Sequence, residues 1–400
     1  MAGDPLPLDP ADCRRWQQQA LVLGAAGLAL LAAGWWTDRP AVVRSYLWAY
    51  NFWLGIALGS LVLGMLQYLT GGVWGLILRR ILEAASRTLP LLAVLFLPIA
   101  LGMSDVYVWM NPEVVAADER LRAKAAYLNS SRYLSFAAGY FAIWIALAWA
   151  FNRWSVGQDR ADAPENPRHL RKLCAAGLTI YALTITVASV DWVMSLEPLW
   201  YSSIFAPLFG VGQVLSAFAF ATVVLILLSN RPPLAGVLAR PHFRDLGSLL
   251  LAFVMVWAYL AFSQFLLMWS GNLTTENPYY LRRMQGGWQY VGIALIVGAF
   301  FLPFLLLLSG DVKRRRSKLL RVAILVLVMR AVDLYWLIVP AQPGADGLGA
   351  VPLGYAARWT DIVAPVAIGG VWLAAFLGQL QVRPLLPAHD PLLAEARHHE

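Results

Sequence analysis

Three aspartates each stand seven residues ahead of a proline: Asp105 before Pro112, Asp191 before Pro198 and Asp333 before Pro340. Asp191, in DWVMSLEP, and Asp333, in VDLYWLIVP, each lie at the end of a long apolar run, where an ionised group is expensive and usually functional. Three acids at one depth on three spans predict a buried polar site, one that passes protons or lines a ligand pocket. Arg330 lies three residues before Asp333 and so shares its helix face. Each charge alone would cost about 2.5 to 3.5 kcal/mol near a bilayer centre. Pairing with each other or with Asp191 is therefore the economical arrangement, and a structural ion pair is favoured over a proton gate. Asp105 falls nearer the interface, where a wetted helix end is the favoured reading. Tyr181 and Thr184 share a face with Gly177, Ala188 and Asp191. That face reads either as a hydroxylated proton track ending at the acid or as a tight packing seam. Ser263, Gln264 and Trp269, with Glu276 in the following loop, read as the lining of a pocket for an apolar ligand with a polar head. Ordinary helix packing explains Ser263 and Gln264 equally well.

Elements able to hold such residues must be membrane spans. The 400-residue chain is 60% hydrophobic and 14% charged, with 18 tryptophans and a mean hydropathy of +0.61, which excludes an ordinary soluble domain. Its net charge of +8 sits in short loops rather than in an aromatic-rich basic patch, so it reads as a topology signal and not as a nucleic-acid footprint. Two cysteines, Cys13 and Cys174, are too few and too far apart for a zinc or iron–sulfur signature. The five histidines, His169, His242, His389, His398 and His399, all fall outside the apolar runs, so no paired intramembrane histidines are offered to a haem. Electrons, if the protein serves electron transfer, travel in partners.

Apolar runs of about 20 residues, the length that crosses a bilayer, recur in Leu21 to Trp36, Leu47 to Leu69, Leu89 to Trp109, Tyr133 to Phe151, Leu173 to Leu196, Ile204 to Leu228, Leu249 to Trp269, Trp288 to Leu308, Leu319 to Val339 and Trp359 to Leu380. Ten spans put both termini on one side. The Lys and Arg excess, led by the KRRRSK loop from Lys313 to Lys318, makes that side cytoplasmic. No cleavable signal peptide is expected ahead of the first span. Between the second and third spans, Trp74 to Ser86 reads either as an interfacial amphipathic helix or as an extension of its neighbour. Spans two to five resemble spans six to nine: Phe52 and Gly55 match Phe209 and Gly212, Tyr127 and Gly139 match Tyr280 and Gly292, and Val190-Asp191 matches Val332-Asp333. Four spans per copy make the repeat parallel. The expected fold is an all-α polytopic membrane protein of ten transmembrane helices, with two four-helix bundles and two flanking helices. Residues 1–46 hold the N-terminus and first span, 47–198 and 199–340 the two bundles, and 341–400 the last loop, tenth span and tail.

DWVMSLEPLWYSSIF, the AFSQFLLMWSGNL run from Ala261 to Leu273, YLRRMQGGWQ from Tyr280, LPFLLLLS from Leu302 and MRAVDLYWLIVP from Met329 to Pro340 resemble the second NrfD-like subunit, of polysulfide reductase membrane subunit type, of bacterial alternative complex III. The likeness runs from about Tyr46 to Pro340. It implies a multi-pass subunit of a quinol:cytochrome c oxidoreductase in the bacterial inner membrane, without a redox centre or covalently bound cofactor of its own. The implied partners are a sister NrfD-like membrane subunit, a periplasmic iron–sulfur protein, and multihaem and monohaem cytochromes c, which hold the haem and iron–sulfur centres. Quinol oxidation is placed in the sister subunit, and the subunit resembled here offers a proton route or a quinone pocket. On that reading Ser263, Gln264, Trp269 and Glu276 are the quinone-pocket candidates, and Asp191, Asp333, Arg330, Asp105, Tyr181 and Thr184 the proton-path candidates. Family members often carry histidine where Ala299 stands, so an exchangeable group is missing from the eighth span. The competing classes are a stand-alone ion-coupled transporter, with Pro98, Pro207, Pro303 and Pro365 breaking helices near a midplane site, and a purely structural anchor.

Overall fold

A computed structural model describes residues 10–157, 168–231, 234–341 and 357–386. Every regular element among them is helical. The chain opens with α1 (Pro10–Thr37) and α2 (Arg39–Thr70), then α3 (Val73–Ser86), α4 (Leu89–Leu95), α5 (Leu97–Leu101) and α6 (Met103–Val106), nearly continuous with one another. Two short helices, α7 (Pro112–Ala117) and α8 (Glu119–Lys124), lead to α9 (Ser130–Gly157) and α10 (Arg168–Trp192). The second half runs through α11 (Phe205–Leu228), α12 (Arg240–Gly271), α13 (Pro278–Arg283), α14 (Trp288–Leu295), α15 (Leu302–Leu308), α16 (Gly310–Arg314) and α17 (Arg316–Ile338), and α18 (Trp359–Leu380) follows. A π-helical segment, Ile296–Phe301, joins α14 to α15.

Local chemistry sets the boundaries. Asp38 caps α2 by accepting from the Ala41 N–H at 3.2 Å, with Pro40 in the first turn. The same helix stops at Gly71 and Gly72, whose φ values of 72° and 98° favour glycine. Asn272, at φ 46°, ends α12 in the left-handed conformation.

Among the described residues, nine helical stretches are long and apolar enough to cross a membrane, which makes this an all-α, multi-pass membrane protein. The expected tenth, α17, has the length for a span, but Arg316, Lys318, Arg321, Arg330 and Asp333 keep it outside that class. One expectation is decided against: α3 is no interfacial helix. All of it except Trp74 is buried, and Val73–Leu101 forms one stretch with the third apolar run.

The core is built on α2 and α11, which pack along each other and are mostly buried. Both are touched by α10 and by α17, while α1 pairs with α18 along one flank. That last contact is backbone-close: a Cβ on Gly24 would lie 2.5 Å from the Val371 nitrogen, and one on Gly27 2.7 Å from the Ala367 Cβ. Small residues permit such an approach, and in lipid, dispersion packing rewards it. Leu21, Val22 and Leu23 of α1 and Phe262, Leu266 and Leu267 of α12 face outward, as lipid-facing residues do.

Candidate functional site

Asp191 closes α10 beneath the start of α9, and three donors from outside its own helix converge on its carboxylate. Tyr127 donates to Oδ1 at 2.9 Å, Arg132 to Oδ1 at 2.9 Å and Tyr140 to Oδ2 at 2.7 Å. Arg132 and Tyr140 belong to α9, and Tyr127 to the turn before it. The Asp191 side chain is 1% exposed and that of Arg132 15%. Arg132 and Tyr127, the latter 38% exposed, are thus the members of the cluster that reach the outside. The guanidinium is held flat over the Tyr127 ring, 3.4 Å from the centroid, and 4.3 Å from that of Phe136, a double cation–π contact. Burial, and next the Asp191 carboxylate, push the Tyr127 phenol up to about 12, so it remains a donor at neutral pH. Behind the acid, Trp192 packs among Phe96, Tyr140, Phe141 and Trp144 and shuts the cluster off from the bundle interior.

The track expected along α10 does not join this cluster through hydrogen bonds. Tyr181 donates to Gln213 Oε1 on α11 at 2.8 Å. Thr184 accepts from the Trp144 indole at 2.9 Å and donates to the Ile180 carbonyl at 2.8 Å. Both hydroxyls are therefore spent on packing contacts.

The other expected acids also have their own partners. Asp333 pairs with Arg330 at 2.5 Å on α17, and both are buried. The guanidinium lies 5.4 Å from the Trp257 ring of α12 and against Gly212 of α11, where a Cβ would come within 2.0 Å of Nη2. Only glycine leaves room for it. Asp105 pairs with Arg39 at 2.7 Å in a partly exposed contact, in keeping with a wetted end. A single site shared by three acids is thus corrected to three separate ion pairs. No hydrogen bond or ion pair between the acids occurs among the described residues. The physical reason is that each acid is neutralised by an arginine of its own.

The four residues expected to line a ligand pocket lie in different settings. Gln264 is buried, but Ser202 donates to its Oε1 at 3.2 Å and its amide donates to Tyr280 at 3.3 Å. Trp269 is half-exposed and stacks on Phe265, Ser263 is half-buried, and Glu276 sits in the loop. A groove of about 460 Å³ opens elsewhere, lined by Gly286, Gly287, Tyr290, Val291, Ala294 and Val332. None of the four candidates touches it.

Sequence reasoning missed two further clusters. Glu197, in the loop after α10, takes Arg283 at 2.8 Å and Arg282 at 3.3 Å. Arg283 is fully buried, donates to the Trp336 and Leu337 carbonyls at 3.2 and 2.8 Å, and lies over Tyr279 at 3.7 Å, so it fastens the α13 turn to the end of α17. At the other end of the molecule, Glu83 of α3 is wholly buried. It accepts from Arg80 at 2.6 Å, from Arg383 at 2.8 Å and from Ser155. The signal available in advance was the i,i+3 spacing of Arg80 and Glu83 within an apolar stretch.

Comparison with protein-family models and with curated proteins gives no match for this chain.

Proposed function

We propose that the chain is an integral membrane subunit of a respiratory quinol:cytochrome c oxidoreductase of the alternative complex III type, and that Asp191 is its proton-exchanging group. The observation that carries the proton reading is the Asp191 cluster: an enclosed carboxylate, two phenols donating to it, and one arginine spanning from the acid to the outside. A carboxylate so held can accept a proton only when Arg132 swings off, which couples proton uptake to a side-chain movement. Among the described residues the Asp333 carboxylate takes Arg330 and no phenol or hydroxyl, and we assign the pair a register-setting role between α17, α12 and α11. The resemblance in the DWVMSLEP, YLRRMQGGWQ and MRAVDLYWLIVP stretches supports the choice of complex, with redox partners as that resemblance implies and quinol chemistry in the sister subunit.

The parallel-repeat reading fits the packing. The first helix of each copy, α2 and α11, meets the other, and each also meets both last helices, α10 and α17. In this arrangement ten spans are present, α17 being a span whose charges are neutralised inside the bundle, and both termini are cytoplasmic in a bacterial inner membrane. The test is Asp191→Asn in the intact complex. Assembly with the cytochromes and loss of proton translocation or turnover are expected. Retained turnover and proton stoichiometry would leave a structural anchor, and purification free of any cytochrome would favour a stand-alone transporter.

A further inference from the structure

The Glu83 cluster lies at the end of the first bundle opposite Asp191. Its partners come from the last turns of α9 (Asn152, Ser155), the last turn of α2 (Tyr68) and the segment 381–386 after α18. From Arg132 to Ser155, α9 rises about 35 Å. Cys13 of α1 comes to this end too, in contact with Gln381 at 2.5 Å. Glu83 Oε1 accepts from Ser155, whose hydroxyl also bonds Tyr68 at 2.9 Å. Glu83 Oε2 takes Arg80 at 2.6 Å and Arg383 at 2.8 Å, and Arg383 also donates to Asn152 at 3.0 Å. Asn152 in turn donates to Ser86 at 3.0 Å. Arg79 lies over the Tyr68 ring at 4.8 Å, and Arg87 donates to the Gln379 carbonyl.

Exposure separates these groups. Glu83, Arg79, Arg80, Asn152, Ser155 and Ser86 are each at most 3% exposed, whereas the Arg383 side chain is 19% exposed. The buried members sit on the bundle helices. Arg383 alone comes from a non-helical segment, pinned by the buried Leu385 and Leu386. A buried acid whose one partly wet partner is carried on a short loop has the parts of a gated exchange site: when the loop arginine leaves, water reaches the carboxylate, a proton from that water neutralises it, and the hydroxyls of Ser155 and Tyr68 stay bonded to one another.

We propose that Glu83 is a second proton-exchange site, opening at the end of the bundle where Cys13 and Gln381 meet, and that Arg383 of the 381–386 segment is its gate. The inference rests on the proton-handling reading of Asp191, and gives it a partner at the other membrane face. The probe is a hydrophobic fluorescent carbodiimide, which modifies protonated carboxyl groups in apolar surroundings; the acid proton passes to a carbodiimide nitrogen and the carboxylate oxygen to its central carbon. The full chain is labelled in nanodiscs and the site located by peptide mass spectrometry. Arg383→Gln, which removes one of two guanidiniums and favours the neutral acid, should raise labelling at Glu83 at least about tenfold, and Arg383→Lys much less. Unaltered labelling in a folded Arg383→Gln chain would overturn the gate. Should that variant fail to accumulate, the unmodified chain decides: labelling at Glu83 that grows between about pH 8 and pH 5 supports exchange, and none at either pH refutes it. Labelling needs no turnover, so it fails or succeeds independently of the Asp191→Asn result.

Discussion

Replacing Arg132 by methionine removes the charge over Asp191 while keeping most of the apolar stem that packs on Phe136. The acid is left 1% exposed with two phenols as its remaining donors. Breaking a buried pair by deleting one partner typically costs about 3–5 kcal/mol, because the other charge stays uncompensated. Arg132 is itself partly exposed, so water can follow the lost guanidinium, and the low end of that range, about 3 kcal/mol, applies. Asp191→Asn leaves an acceptor for one phenol and an amide facing Arg132, at a cost of about 1–3 kcal/mol for the donors left short. The double variant removes both charges. It should be less destabilised than the sum of the singles by about 2 kcal/mol, well above the roughly 0.5 kcal/mol within which independent sites add. Reversible unfolding of the bilayer-embedded chain, driven by steric trapping, measures all four corners of the cycle. Additivity within about 0.5 kcal/mol would refute the claim that these groups hold each other, and with it the idea that proton uptake at Asp191 must displace Arg132.

Gly212→Ala should destabilise by about 1–3 kcal/mol, because its Cβ would come within 2.0 Å of Arg330 Nη2; adding Arg330→Met should not return the loss, since it leaves Asp333 buried without its partner, and an alanine tolerated on its own in the same unfolding assay would refute the packing. Tyr181→Phe removes a hydrogen bond to Gln213 and should cost about 1–3 kcal/mol, since the buried amide oxygen is left short, with turnover of the complex unchanged because Tyr181 is not bonded to Asp191; a large fall in turnover would reinstate the α10 track. In the proposed complex, Trp269→Ala should leave turnover intact, as its ring is half-exposed and stacks on Phe265; loss of turnover with normal assembly would support a ligand role. Gly24→Leu should separate α1 from α18 without unfolding the α2–α11 core, read as faster proteolysis at the N-terminal segment; an unaltered cleavage rate would contradict the close contact.

Spans and acids were legible because bilayer length and the cost of buried charge act on single residues. Asp191, Asp333 and Arg330 stood out against apolar neighbours, and each is buried. The partners were not legible in the same way. Arg132 sits at the start of α9, where a loop arginine looks like a topology signal, and Tyr127 lies 64 residues from the acid it bonds. Both reach Asp191 only because α9 folds back along α10. Glu83 was hidden for the opposite reason. Its stretch carries two arginines at helical spacing, which reads as a solvated or interfacial face until α2, α9, α11 and α18 close over it. Ser263, Gln264, Trp269 and Glu276 were grouped by sequence proximity, and on α12 Gln264 turns inward while Trp269 turns outward.

The same rule that separates the acids also separates their roles. Asp191, Asp333 and Glu83 are each matched by an arginine, so charge alone cannot tell a lock from an exchange site. What differs is the second set of neighbours and where the arginine is anchored. Arg330 is rooted on the same helix as Asp333, three residues away, and pressed between Trp257 and Gly212; it has nowhere to go, and hydroxyls that would carry a proton are not bonded to the acid. Arg132 and Arg383 come from other elements than the acids they cover, each is partly exposed, and each acid keeps hydroxyl donors of its own, Tyr127 and Tyr140 on Asp191 and Ser155 on Glu83. An arginine that can leave, an acid that stays solvated by hydroxyls when it does, and a position at one end of the bundle are what a proton needs to bind and be released. Asp191 and Glu83 meet all three conditions, at opposite ends of α9, and Asp333 meets none of the first two.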